Sequence, residues 1–244
     1  YVEIYNNVFH NLLETAGGSG GSGSGASKRS KSPRPDGTTT PPRSPASKIE
    51  VREHPSRGVF LSGGRGLRVP VNSAAAVVTL VSHGAKARRT ASTGLNDRSS
   101  RSHAILILEI EATHSRTALA RCKRGRRRVI DLAGSERVSM SGVEGSSLVE
   151  AQNINLSLTL LGDVLSALSK YHRAAARSTG GAAGAAAEKP FVPYRNSKLT
   201  YLLKDSLGGN CKTLMICAVR AAPPCFQQTM MSLRYAGRAR DIKN

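Results

Sequence analysis

The run VIDLAGSERV, Val129 to Val138, sets an acid at the end of an apolar stretch and a glycine three residues later. A carboxylate at the carboxyl end of a buried strand can hold Mg2+ directly or through water, and a glycine at that spacing can bring its backbone N–H close to a terminal phosphate. Asp131 and Gly134 have that arrangement. A strand that merely ends in a turn gives the same pattern, and so short a motif matches often by accident. A second run, NDRSSRSH from Asn96 to His103, sets two hydroxyls, Ser99 and Ser100, beside Arg101. Hydroxyls at a loop end can ligate Mg2+ or touch a γ-phosphate, and an arginine can form a bidentate pair with a carboxylate such as Glu136. Alone, this run reads more simply as a solvated Ser/Arg loop.

Elements must hold these groups. Tyr1 to Tyr5 alternates as a β-strand, and NVFHNLL after it reads as a short helical turn carrying Val8, Leu12 and Leu13. Order resumes at KIEVREHPSRGVF, and Asn72 or Ser73 can cap a helix that ends near Gly84. SHAILILEIEAT is a strand, RCKRGRRR a basic turn and RVIDLAG the next strand, which together suggest a hairpin. Val149 to Lys170 carries Ile154, Leu158, Leu161, Leu165 and Leu168 on one helical face. Ser197 opens a helix through Leu207 that Gly208 and Gly209 terminate, TLMICAV reads as a buried strand, and QQTMMSLRYAGRARDIK as a last amphipathic helix. Helices alternating with apolar strands point to an α/β layered domain.

With 244 residues the chain is long enough for one sizeable core. Its formal charge of +20 predicts an acidic partner: a nucleic acid, an anionic membrane or an acidic protein surface. Two stretches interrupt the ordered pattern. Residues 16–47 are Gly/Ser-rich and then Lys/Arg/Ser/Pro-rich, and 172–189 are Ala/Gly-rich; both read as insertions, the first as disordered. Cys122, Cys211, Cys217 and Cys225 show neither C-x-x-C pairs nor a zinc spacing, which favours a reducing setting. No apolar run of about 18 residues marks a membrane span. The chain opens on Tyr1 inside a strand-like run, so a longer parent protein is expected.

The two runs together resemble the switches of the kinesin motor domain: NDRSSRSH is similar to its switch I and DLAGSE to its switch II. EAQNINLSLTLLGDVLSAL resembles the long relay helix after switch II, and VPYRNSKLTYLLKDSLGGNCKTLMI the microtubule-facing loop and helix with the next core strand. YVEIYN and SLRYAGRARDIKN are similar to the family's middle strand and last helix, so the resemblance covers nearly everything outside the two insertions. REHPSRGVF and YLLKDSLGG lean toward the transport-type branch.

The resemblance implies a partial P-loop-NTPase-like motor fold, with a mixed central sheet and helices on both faces. It implies ATP and Mg2+ as cofactors, microtubules as partner, and a cytoplasmic, cytoskeletal location. Asn96, Ser99, Ser100 and Asp131 would bind the nucleotide, with Ser100 and Asp131 on the Mg2+, the latter through water. Arg101 would pair with Glu136 when the site closes, and Gly134 would report the γ-phosphate. Arg195, Lys198, Lys170 and Arg173 would face the microtubule, with residues 172–189 lying in the microtubule-facing loop.

This sequence departs from the family in places. Leu156 stands where the family usually has Lys, Asn196 where it has Asp, and Gln228 where it has Glu. No G-x-x-x-x-G-K-[ST] string occurs from Tyr1 to Asn244, so the phosphate loop is expected upstream and this stretch alone is expected to be inactive. Two rivals remain: a nucleotide-free microtubule binder with relic switches, and a basic nucleic-acid binder using RCKRGRRR. The second has charge but no recognition motif and only 4% aromatics.

Overall fold

The computed structural model describes residues 1–14, 48–90, 98–113, 122–134, 146–178 and 190–244. The chain opens with β1 (Val2–Tyr5) and β2 (Val8–Asn11), joined through Asn6 and Asn7 at φ 52° and 57°. Two consecutive left-handed residues make the tight turn that suits twisted antiparallel strands, and asparagine tolerates that conformation. The segment expected as a helical turn is therefore half of a hairpin, with Phe9, Leu12 and Leu13 buried.

β1 sits inside a four-stranded sheet of order β2-β1-β5-β6, where β5 is His103–Thr113 and β6 is Cys122–Asp131. Every described pairing is antiparallel. β5 and β6 form the expected hairpin, but RCKRGRRR is not its turn: from Cys122 the run belongs to β6. The register sets Arg126 opposite Glu109 and Arg124 opposite Glu111, and opposite charges facing each other across strands favour extending the ladder. A second sheet pairs β3 (Glu50–His54) with β4 (Gly58–Ser62).

α1 (Ala74–Thr90) starts at Ser73, whose hydroxyl accepts the Ala76 N–H at 3.2 Å. It runs past its expected end at Gly84. That glycine is there for packing: a Cβ would strike the Tyr1 ring. α2 (Ser146–Ser178) is longer than Val149 to Lys170 and takes in the start of the 172–189 stretch, whose alanines are strong helix formers. Residues 179–189 and 16–47 lie outside the described residues. Leu161, Leu165 and Leu168 of the expected stripe are buried, with Val164 between them. α4 (Phe226–Arg240) packs on this helix, the Tyr235 hydroxyl donating to the Leu158 carbonyl.

α3 (Lys198–Leu202) begins at a capping box in which Ser197 and Thr200 each accept the other's N–H, at 3.0 and 3.2 Å. It does not continue to Leu207. A 3-10 turn, Lys204–Ser206, replaces the last turn, and Asp205 there accepts the Val59 N–H at 2.8 Å. TLMICAV is not a buried strand either: residues 213–219 have no regular structure, with Leu214 and Ile216 exposed at 85% and 87%. A strand exists only by pairing, and among the described residues nothing pairs with this run. The core lies where Val2, Ile4 and Ile105 of the sheet meet Leu161 and Leu165 of α2 and Leu199 and Leu202 of α3.

Candidate functional site

Arg98–Arg101 forms one 3-10 turn leading into β5. β6 ends beside it, since Asp131 is the register partner of Ala104. The Gly134 N–H donates to the Ser100 carbonyl at 2.8 Å, so the two loops singled out from sequence touch. Ser99, Ser100, Arg101, Asp131 and Gly134 thus share one corner of the sheet. Asn96 and Glu136 lie outside the described residues, as does the Arg101–Glu136 pair.

A residue that sequence reasoning passed over organises this corner. Arg88, in the last turn of α1, donates from Nη1 to Asp131 Oδ2 at 2.8 Å and from Nη2 to the carbonyls of Ser99 and Ser102 at 2.7 and 2.9 Å. Its Nε approaches Ser102 Oγ at 3.3 Å and Glu3 Oε1 at 3.7 Å. Its side chain is 10% exposed and that of Glu3 1%. An arginine this buried must be paired and hydrogen-bonded, and the planar fork lets one side chain serve both loops. The sequence signal was faint: Arg88 follows Gly84 by four residues, hence shares its inward helical face.

His103 ties the corner to α2. The Ala133 N–H donates to its Nδ1 at 3.0 Å, and its Nε2 lies 2.7 Å from Ser157 Oγ. Burial lowers its pKa to about 4; the Arg88 charge adds to this and Asp131 opposes it.

The donor set suits Mg2+. The Asp131 side chain is 72% exposed despite its bond to Arg88, leaving it open to a hydrated cation, with the Ser99 and Ser100 hydroxyls in the adjoining turn. Mg2+ typically takes one or two carboxylates plus phosphate oxygens and waters, so a cage of acids is not required.

The cations expected to face a track lie elsewhere. Arg195 is exposed, 5.2 Å over the Tyr201 ring and 3.8 Å from Glu53. Lys198 opens α3 and lies 5.6 Å from the Phe9 ring; burial and Lys48 lower its pKa, against Glu50. Lys170 and Arg173 are exposed on α2. Three of the five cations on β6 are paired with acids: Arg124, Arg126 and Arg128 meet Glu111, Glu109 and Asp205 at 2.9, 3.1 and 3.3 Å. That weakens the nucleic-acid reading.

An antiparallel sheet flanked by helices, with two loops joined at the end of its hairpin, defines an α/β domain of a known class. The Kinesin family profile, described as the kinesin motor domain, matches residues 1–242, and the chain belongs to that family. It is 43% identical to kinesin-like protein K39 of Leishmania chagasi and 41% identical to human kinesin-like protein KIF13B, each over 100% of this chain. It spans 23% and 11% of those relatives' lengths. Among solved structures, a KIF14 dimer with AMP-PNP in complex with a microtubule is similar at TM-score 0.68 and 35% identity, covering 99% of this chain and 57% of that one. The structure of a fast kinesin is similar at TM-score 0.69 and 32% identity, covering 100% of this chain and 55% of that one. The α/β kinesin motor fold anticipated from sequence is the fold of this chain.

Proposed function

We propose that the chain is the nucleotide-sensing and track-binding part of an ATP-driven microtubule motor, with the phosphate loop supplied by sequence preceding Tyr1. The observation that carries this is the Gly134-to-Ser100 hydrogen bond, which couples a D-x-x-G turn to a Ser/Arg turn at one strand end. Bound ATP with Mg2+ would supply the phosphate charge that the two turns sense. Ser99, Ser100 and Asp131 would orient the metal and terminal phosphate, and Asn96 would join them at the nucleotide. Arg101 with Glu136 would close the site and help position the attacking water, which makes hydrolysis a matter of placement and electrostatics. Arg88 would keep Asp131 and the Ser99–Ser102 backbone in register. Arg195, Lys198, Lys170 and Arg173 would meet the acidic track surface.

The test is microtubule-stimulated ATP hydrolysis by the full-length protein. Gly134→Ala keeps the backbone N–H but adds a Cβ that hinders its close approach to a terminal phosphate, and it should lower the rate by about a hundredfold, the scale of a preorganised donor put out of place, while co-sedimentation with microtubules persists. A full-length protein that sediments with microtubules but hydrolyses no ATP would overturn the reading in favour of the nucleotide-free binder.

A further inference from the structure

β4 ends at Ser62, and the chain then passes through Gly63, Gly64, Arg65 and Gly66 to Leu67. The three glycines sit at φ 83°, 71° and 62°, the left-handed region that strains any residue with a Cβ. Both ends of the turn are fixed. Leu61 is buried, Leu67 packs against the core, and Asn11 Nδ2 donates to the Arg65 carbonyl at 2.7 Å. Between these anchors the Arg65 side chain is exposed, and among the described residues its guanidinium has no hydrogen-bond or ion-pair partner. No other arginine of the chain has glycine on both sides. Arg57, Arg124, Arg126 and Arg238 have one glycine neighbour each, and Arg124 and Arg126 are held by Glu111 and Glu109.

A guanidinium presented in this way suits alkylation by an enzyme. Such an enzyme must bring one guanidinium nitrogen in line with the bond that breaks on the donor, inside a site closed to water. The whole arginine side chain then enters a narrow channel while the backbone on either side lies against its mouth. Neighbouring side chains obstruct that approach, and glycines do not. A guanidinium already paired with a carboxylate would first have to be released from it.

We propose that Arg65 is a site of arginine N-methylation, with a sulfonium methyl donor, S-adenosylmethionine, as co-substrate. This site is independent of the motor reading. A guanidinium nitrogen of Arg65 bonds to the methyl carbon as the carbon–sulfur bond breaks. The electron pair of that bond stays on sulfur, which becomes a neutral thioether, and the nitrogen gives up one proton to a base of the transferase. The methylated guanidinium keeps its positive charge but loses an N–H donor. Long-range attraction to an acidic partner therefore persists, while a forked pair with one of that partner's carboxylates is blocked.

The experiment incubates the full-length protein and its R65K and G66A variants with S-adenosylmethionine carrying a labelled methyl group and a purified methyltransferase that acts on glycine-flanked arginines. Trypsin digestion and mass spectrometry follow. In the wild type, residues 58–68 should appear as one peptide uncut at Arg65 and carrying one or two labelled methyl groups, because trypsin cuts poorly after a methylated arginine. R65K keeps the charge at an exposed position and should carry no label in this segment. G66A keeps the arginine, and the atom nearest to the added Cβ is Asn11 Nδ2 at 3.9 Å, so there is room for it. It should lose most of the label, since a side chain then stands beside the guanidinium. A wild type that takes no label in this segment, or label that persists there at the wild-type level in R65K or in G66A, would overturn the assignment and leave the motor reading untouched.

Discussion

A guanidinium that is one-tenth exposed and meets Asp131, Ser99 and Ser102 together cannot be exchanged for a point charge, because a lysine has no fork with which to serve three acceptors. It also faces the buried carboxylate of Glu3 at 3.7 Å, so removal of Arg88 would take a cation away from a buried acid. His103 lies within the field of the same arginine. The unperturbed ring titrates at 6.5 and the folded one at about 4, so between those values the unfolded chain binds the extra proton. Stability is therefore fully present above the unfolded value and is lost as the pH falls toward the folded one. The loss between pH 7 and pH 5 should be about 2 kcal/mol. Native-state hydrogen exchange at β5 amides of the full-length protein, corrected for intrinsic rates, checks this. The His103 contribution is wrong if H103N shows the same pH dependence as wild type.

The elements show why part of the fold could be read in advance. The leucine stripe of α2 and the apolar alternation of β5 are periodic signals that burial enforces, so their existence was legible and only their ends moved. β2 was misread because its turn depends on Asn6 and Asn7 adopting positive φ, which composition does not reveal. Arg88 was missed because a cation at a helix end normally interacts with the helix dipole in solvent, and only the tertiary fold turns it inward. Ser99, Ser100, Asp131 and Gly134 were singled out because two runs together resemble a family's motifs, since neither spacing alone marks a site, and the structure brings those two runs into contact through the Gly134-to-Ser100 hydrogen bond. Gly208 shows the opposite dependence, a single position fixed by two elements at once. Its φ is 75°, and a Cβ there would lie 2.9 Å from Leu168 Cδ2 and 3.4 Å from the Tyr194 hydroxyl. Left-handed strain alone costs about 1–2 kcal/mol for a residue with a Cβ, and displacing Leu168 from the α2 seam adds to it. Gly208→Ala should lower stability by about 2–3 kcal/mol, read as a fall of several degrees in the calorimetric transition that includes α2. An unchanged transition would show that the segment after α3 can shift away from α2 freely.

Across the whole molecule, charge and apolar surface act in opposite directions. The formal charge of +20 favours solubility through self-repulsion, but much of the basic run of β6 is paired within the hairpin and against Asp205. Against it stand Val129 on β6 at 61% exposure and the unpaired run with Leu214 and Ile216. β6 pairs with β5 on one side, and among the described residues nothing pairs on the other. An exposed strand edge beside apolar surface is a template for association. Residues 1–244 expressed by themselves should therefore self-associate at micromolar concentration, seen as a mass well above 25.8 kDa in light scattering after size exclusion. Raising the salt should strengthen that association, because screening weakens the repulsion between cationic copies while the apolar contacts persist. A monomer with a sharp, reversible thermal transition would show that the β6 edge and the 213–219 run are covered within the chain itself.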